Sequence, residues 1–198
     1  MLRAQPPTHR PVWMIVLAAT MLLFGGRDLV SGLLALRDPG AQFSIRNVAR
    51  GPAAEEAARK LEPIVAGVID RHRPALRAMA IVSIALGAFI LYAVAAVLSR
   101  DRNGRRLALL TAIFGIAYVL AGPPLTLSVW KEFVVAGGPL LLESLSAAGQ
   151  AVAQTQAELL AALHMTAALV VVAGLGWCVL VLVYFGGRRG RELYGIRP

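Results

Sequence analysis

The sequence predicts an all-α integral membrane four-helix bundle with two extracytoplasmic amphipathic helices. Three observations predict it. Hydrophobic residues make up 58% of the chain and charged residues 16%, with a mean hydropathy of +0.67. An ordinary soluble domain is about half apolar and about a quarter charged. Three uncharged stretches, Ala78–Ser99, Leu107–Trp130 and Leu159–Gly187, each supply the run of about 20 apolar residues that a hydrocarbon layer of about 30 Å requires. The arginines gather in the short connections rather than the long ones. The same composition excludes a disordered chain.

The elements follow in order as a single membrane domain. The first span covers about 12–36, with Pro11 suited to a helix start and Arg37-Asp38-Pro39-Gly40 as its stop. Arg27 and Asp28 interrupt it. A secretory signal is the competing reading of this segment, but no small-residue cleavage site follows Val12–Phe24 and the apolar pattern resumes at Leu29. The outer connection 37–74 carries an amphipathic helix over about Ala53–Asp70. Leu61, Ile64, Val65, Val68 and Ile69 form its apolar stripe, Gly51-Pro52 its start, and Pro63 a point of bending. The second span covers 75–99, the turn 100–106, and the third span 107–130. In the connection 131–158, Val135–Gly138 reads as a turn. A helix from Pro139 then runs almost straight into the fourth span, 159–186, on a stripe of Leu141, Leu145, Ala148, Val152 and Leu159. The tail is 187–198.

Charge sets the expected orientation. The N-terminal tail, the 100–106 turn and the C-terminal tail hold ten arginines against Asp101 and Glu192, a net of +8. The two long connections hold nine cations and eight acids, a net of +1. Lys and Arg favour the cytoplasmic side, so both termini are expected there. The excess of arginine over lysine and the abundance of alanine point to a bacterial chain and hence to the cytoplasmic membrane. The single cysteine, Cys178, excludes an internal disulfide and a cysteine-based zinc site.

Candidate functional residues are few. No GxxxxGK(S/T), HExxH, GxSxG or CxxC occurs, and His9, His72 and His164 fall in three separate segments. No catalytic residue, metal or cofactor is therefore assigned. Depth along the spans singles out Arg27, Asp28, His164, Pro123 and Pro124. Each lies towards the outer third of the membrane at about 1.5 Å per helical residue. Pro123 and Pro124 lack amide hydrogens and release the carbonyls of Val119 and Leu120. Neighbouring Arg27 and Asp28 point about 100° apart, so each needs its own partner. Asp28 with His164, and Arg27 with Glu132 or Glu158, are the pairings considered. Together these groups make a small polar pocket for a head group, an ion or a proton. The reading that depth favours is blander: Arg27 reaches to the interface, Asp28 caps or pairs, and the prolines bend a helix, because a charge near the interface costs far less than one at the midplane.

The small pairs Ser83/Gly87 and Thr111/Gly115, with Gly174 and Gly176, read as close helix packing or a dimer face. Trp177 and Cys178 read as packing residues. The arginine clusters suit anionic lipid head groups, and without interleaved aromatics they do not suit nucleic acid. The expected role is a non-enzymatic structural, scaffold or accessory membrane component, meeting a protein partner or a second copy through its outer helices. The alternative is a small transporter or ligand-binding membrane protein using the polar pocket.

Overall fold

The computed structural model describes residues 12–39, 52–101, 103–147 and 155–194. Among them there is helix and turn and no strand. The helices are α1 (Val12–Arg37), α2 (Pro52–Leu98), α3 (Gly104–Ala147), α4 (Gln156–Gly186) and α5 (Arg188–Leu193). The first four are long and apolar enough to cross a membrane.

α1 and α4 match the expected spans closely. α1 ends at Arg37, where Asp38 closes the last turn through its amide on the Leu34 carbonyl (2.8 Å). α4 begins later than the stripe from Pro139 implies. Thr155 and Glu158 form a reciprocal capping box: the Glu158 amide donates to Thr155 Oγ1 (3.2 Å), and the Thr155 amide to Glu158 Oε2 (3.3 Å). The T-x-x-E spacing is the physical start signal, and it stops residues 139–147 from belonging to α4.

α2 and α3 depart further from expectation. The amphipathic segment and the second span are one helix of 47 residues, with Pro63 and Pro74 inside it. A proline in a helix interior costs about 3 kcal/mol. Leu61, Val68, Ile69 and Leu76 are buried along the same stretch. At about 1.5–3 kcal/mol for each such side chain, their burial matches or exceeds the two penalties. α3 likewise runs 44 residues through Pro123, Pro124 and Pro139. The expected turn at Val135–Gly138 does not form. Gly137 and Gly138 keep ordinary helical backbones and serve close approach: a Cβ on Gly137 would lie 2.9 Å from the Leu61 side chain, and one on Gly138 2.1 Å from Gln156 Nε2. Of the stripe assigned to the outer helix, Leu141 and Leu159 share one core. The side chains of Leu145, Ala148 and Val152 lie outside the described residues.

Packing divides the chain into two units. The first takes the described residues of Met1–Leu33, Ile81–Val119 and Val172–Pro198. Met14, Leu17 and Met21 of α1 meet Ile90 and Val97 of α2, Ala112 of α3, and Val181 and Phe185 of α4 in its core. The opposite face of α1 is also apolar: Trp13, Ile15, Val16, Leu22 and Leu23 are exposed. α4 exposes Leu169, Val170, Val172, Leu180 and Val183. The second unit takes Leu34–Ala80 and Leu120–Val171. Its two cores join Val68, Ile69 and Leu76 to Val129, and Leu61 to Phe133, Val134, Leu141 and Leu159. The outward side of α2 in this unit carries exposed Glu56, Arg59, Lys60, Arg73 and Arg77.

Candidate functional site

Within the first unit, glycines bring α1 and α2 into backbone contact. A Cβ on Gly87 would stand 2.6 Å from the Leu29 amide nitrogen and 2.7 Å from the Gly25 carbonyl oxygen. That approach puts Ser83 within reach of α1. Ser83 Oγ donates to the Asp28 carbonyl (3.1 Å), Tyr118 of α3 donates to Ser83 Oγ (3.1 Å), and Ser31 Oγ donates to the same Asp28 carbonyl (3.2 Å). A polar thread thus links three helices through the main chain of Asp28. The Asp28 side chain is half-buried and Arg27 is exposed. α4 joins through Trp177, whose Nε1 donates to Thr20 Oγ1 (3.3 Å) and whose ring lies 5.2 Å from Phe24. The small pairs singled out in the sequence work inside the chain: Ser83 and Gly87 face α1, and Gly115 lies against Cys178 Sγ.

The second unit has its own polar centre at Glu132 of α3. Its Oε1 pairs with Arg71, and its Oε2 lies 2.6 Å from His72 Nε2. Both partners come from α2. Glu132, one of the two partners considered for Arg27, is engaged by Arg71 and His72. Glu158 caps α4. His164 is exposed, its Nδ1 lying 2.7 Å from the Leu160 carbonyl one turn back. Pro123 is half-buried and Pro124 exposed within continuous helix. Of the five residues singled out, Arg27 and Asp28 belong to the first unit and Pro123, Pro124 and His164 to the second.

The grouping of Arg71, His72 and Glu132 escaped the sequence reading, although a signal for it exists. With a short turn at 99–103, α2 and α3 run back along each other. His72 and Glu132 lie at equal sequence distances from position 102, and Phe89 and Phe114 nearly so, with rings 5.9 Å apart. Each of these pairs is internal to one unit.

The α2–α3 turn is also built in the first unit. Arg100 has φ +55°, with its amide on the Val97 carbonyl (3.2 Å) and the Asp101 amide on the Ala96 carbonyl (2.9 Å). This is a Schellman ending, whose left-handed position usually takes glycine or asparagine. Placing arginine there costs roughly 1–2 kcal/mol. Arg105 Nε donates to the Phe185 carbonyl at the end of α4 (2.7 Å). α5 sits on that same end, where a Cβ on Gly190 would lie 2.6 Å from the carbonyl oxygens of both Tyr184 and Phe185. Tyr194 closes the arrangement over Gly104. Its hydroxyl is buried and has no hydrogen-bond partner among the described residues, and burial pushes its pKa up to about 12.

Among the described residues, no three or more His, Cys, Asp or Glu side chains group as metal ligands. No family model matches the chain, and no curated protein or solved structure is significantly similar to it.

Proposed function

We propose that the chain is a four-span protein of a bacterial cytoplasmic membrane, with both termini cytoplasmic, acting as a non-enzymatic scaffold or accessory subunit. The observation that carries the reading is the contrast between helix segments. α1 and α4 turn large apolar side chains outward as well as inward. The N-terminal half of α2 turns charges outward over a buried apolar stripe. The first pattern suits lipid and the second water. At 47 and 44 residues, α2 and α3 are about 70 Å and about 66 Å long, twice the hydrocarbon thickness. Their surplus makes an extracytoplasmic extension that offers a partner, or a second copy, a helical surface.

A specific observation favours a transporter or ligand-binding protein as the second reading. Asp28 is a half-buried carboxylate in a span, at the point where Ser83, itself held by the Tyr118 hydroxyl, donates to its main-chain carbonyl. Ionisable groups inside spans commonly mark pathways or ligand sites. Of the residues singled out in the sequence, Arg27 and Asp28 lie in this unit.

Native mass spectrometry of the protein released from lipid nanodiscs separates the two. The scaffold reading expects a second protein or a fixed homo-oligomer, unchanged in Asp28→Asn. A stoichiometric small molecule, lost in Asp28→Asn while the amount of folded protein holds, overturns it in favour of the second reading.

A further inference from the structure

We infer that the outward face of α1 around Arg27 is an intramembrane docking surface for the transmembrane helix of another protein, one carrying an aspartate or glutamate near its middle. The inference rests on the membrane-scaffold reading above and adds the chemistry of the partner to it.

Arg27 lies deep in the apolar part of the first unit. Gly25 and Leu29, which bracket it on α1, meet Gly87 of α2 at backbone distance, and a Cβ on Gly25 would stand 2.8 Å from the Ile90 side chain. Gly87 and Ile90 lie on either side of the centre of the uncharged stretch Ala78–Ser99. The same level is reached from α3. Tyr118, which bonds to Ser83 and through it to the Asp28 carbonyl, stands at the centre of the uncharged stretch Leu107–Trp130. Both neighbours thus put Arg27 within about one helical turn, about 5 Å, of the middle of the apolar layer.

Arg27 also points away from the bundle. On its own face, four residues before it and three after, Leu23 and Val30 are exposed, whereas Met14, Met21 and Gly25 are buried on the opposite face. Among the described residues Arg27 makes no hydrogen bond or ion pair. Asp28 beside it is half-buried and about 100° around the helix, and no ion pair joins the two. Ionisable side chains inside spans almost always face a bundle interior and pair there. Arg27 has the depth of such a residue and faces out. Its face becomes an interior once a further helix lies on it.

Charge and shape select that helix. Val16, Ala19, Leu23, Gly26 and Val30 recur every three or four residues, the spacing of a helix-pairing seam. A Cβ on Gly26 would meet nothing within 4 Å, so the backbone there is open to close approach, while that of Gly25 is already used by α2. Arg27 flanks the seam. A carboxylate on the arriving helix supplies the missing counter-charge in the two-oxygen geometry that guanidinium takes. A second copy does not supply it. Pairing α1 with itself on this face brings two Arg27 side chains to one level, and Asp28, the one acid among the span residues of this unit, lies half-buried away from the seam. Lipid phosphate stays at the bilayer surface, about 15 Å from the middle.

The test uses two synthetic leucine-alanine peptides of about 21 residues, long enough to span and identical except for Asp or Asn at the middle position. Each is reconstituted with wild type, Arg27→Leu or Arg27→Lys in phosphatidylcholine nanodiscs, and native mass spectrometry counts the peptide retained. Wild type is expected to hold one Asp peptide and to retain it about tenfold better than the Asn peptide. Arg27→Leu retains the two equally, and Arg27→Lys keeps the preference for Asp. Equal retention by wild type overturns the proposal, since lipid or water then serves Arg27. A preference that survives Arg27→Leu, or is lost in Arg27→Lys, overturns it because the charge at this position is not what is read. A wild-type dimer that excludes the Asp peptide overturns it in favour of a second copy. Alkaline carbonate washing of cell membranes tests the underlying reading separately. Release of the protein sinks the membrane assignment, whereas retention without a preference for Asp sinks only the docking surface.

Discussion

Tyr194 shows how one residue can carry a cost that its surroundings tolerate. Its hydroxyl is buried with no hydrogen-bond partner among the described residues, 2.9 Å from where a Cβ on Gly104 would stand. An unsatisfied buried hydroxyl costs on the order of 1–3 kcal/mol. Tyr194→Phe keeps the ring and removes the cost, so it should raise stability by about 1 kcal/mol, read from thermal unfolding in a zwitterionic detergent. The pH dependence follows from the same burial. The folded protein holds the phenolic proton to about pH 12, against an ordinary value of 10. Stabilisation linked to this proton is complete below pH 10 and is lost as pH rises through about 12. The tyrosinate absorbance of wild type minus that of Tyr194→Phe should therefore appear near pH 12. A step near pH 10 would show the hydroxyl to be solvated.

Between elements, the bonds that matter join helices rather than extend them. α2 and α3 meet in the second unit through an apolar stripe and one ionic centre, Arg71 and His72 on Glu132. All three groups retain some exposure, with Glu132 at 34% and His72 at 25%. Solvent screening therefore holds the His72–Glu132 coupling to about 0.5–1 kcal/mol. A double-mutant cycle with His72→Ala and Glu132→Gln, followed by thermal unfolding, should return a coupling of that size. Strictly additive single and double mutants would mean that the contact contributes shape and no energy. Pro63, Pro74, Pro123, Pro124 and Pro139 all lie inside continuous helix. Each breaks one local hydrogen bond, but packing with neighbouring helices supplies more than local propensity withdraws.

For the whole molecule, the prediction is topological. The turn and tails carry the arginine excess, and in the two long connections the charges nearly cancel. With Cys178 replaced by serine, a cysteine introduced by Ala57→Cys or Ala148→Cys should react with an impermeant maleimide added to whole cells. A cysteine introduced by Arg191→Cys should react only after the membrane is opened. Reaction in the reverse order would invert the molecule and place the arginine-rich ends outside.

Sequence by itself determined the helical class, the four apolar elements and the stops at Arg37 and Leu98. These follow from composition and from runs of neighbours, which are local quantities. It did not determine that the amphipathic segments continue the long apolar helices, because Gly137-Gly138 reads as a turn when its neighbours across the fold are unknown. Arg27 and Asp28 were visible as charges within an apolar run. The bonds of Ser83 to the Asp28 carbonyl and of Tyr118 to Ser83 were not, since a main-chain acceptor leaves no mark in sequence. His72 and Glu132 look like unrelated surface charges until the helix hairpin brings them together. Tertiary structure alone decided these pairings. A hydrogen bond or ion pair depends on distance in space, and the crossing of helices at Gly25 and Gly87, like the fold-back of α5 at Gly190, sets those distances through contacts far apart along the chain.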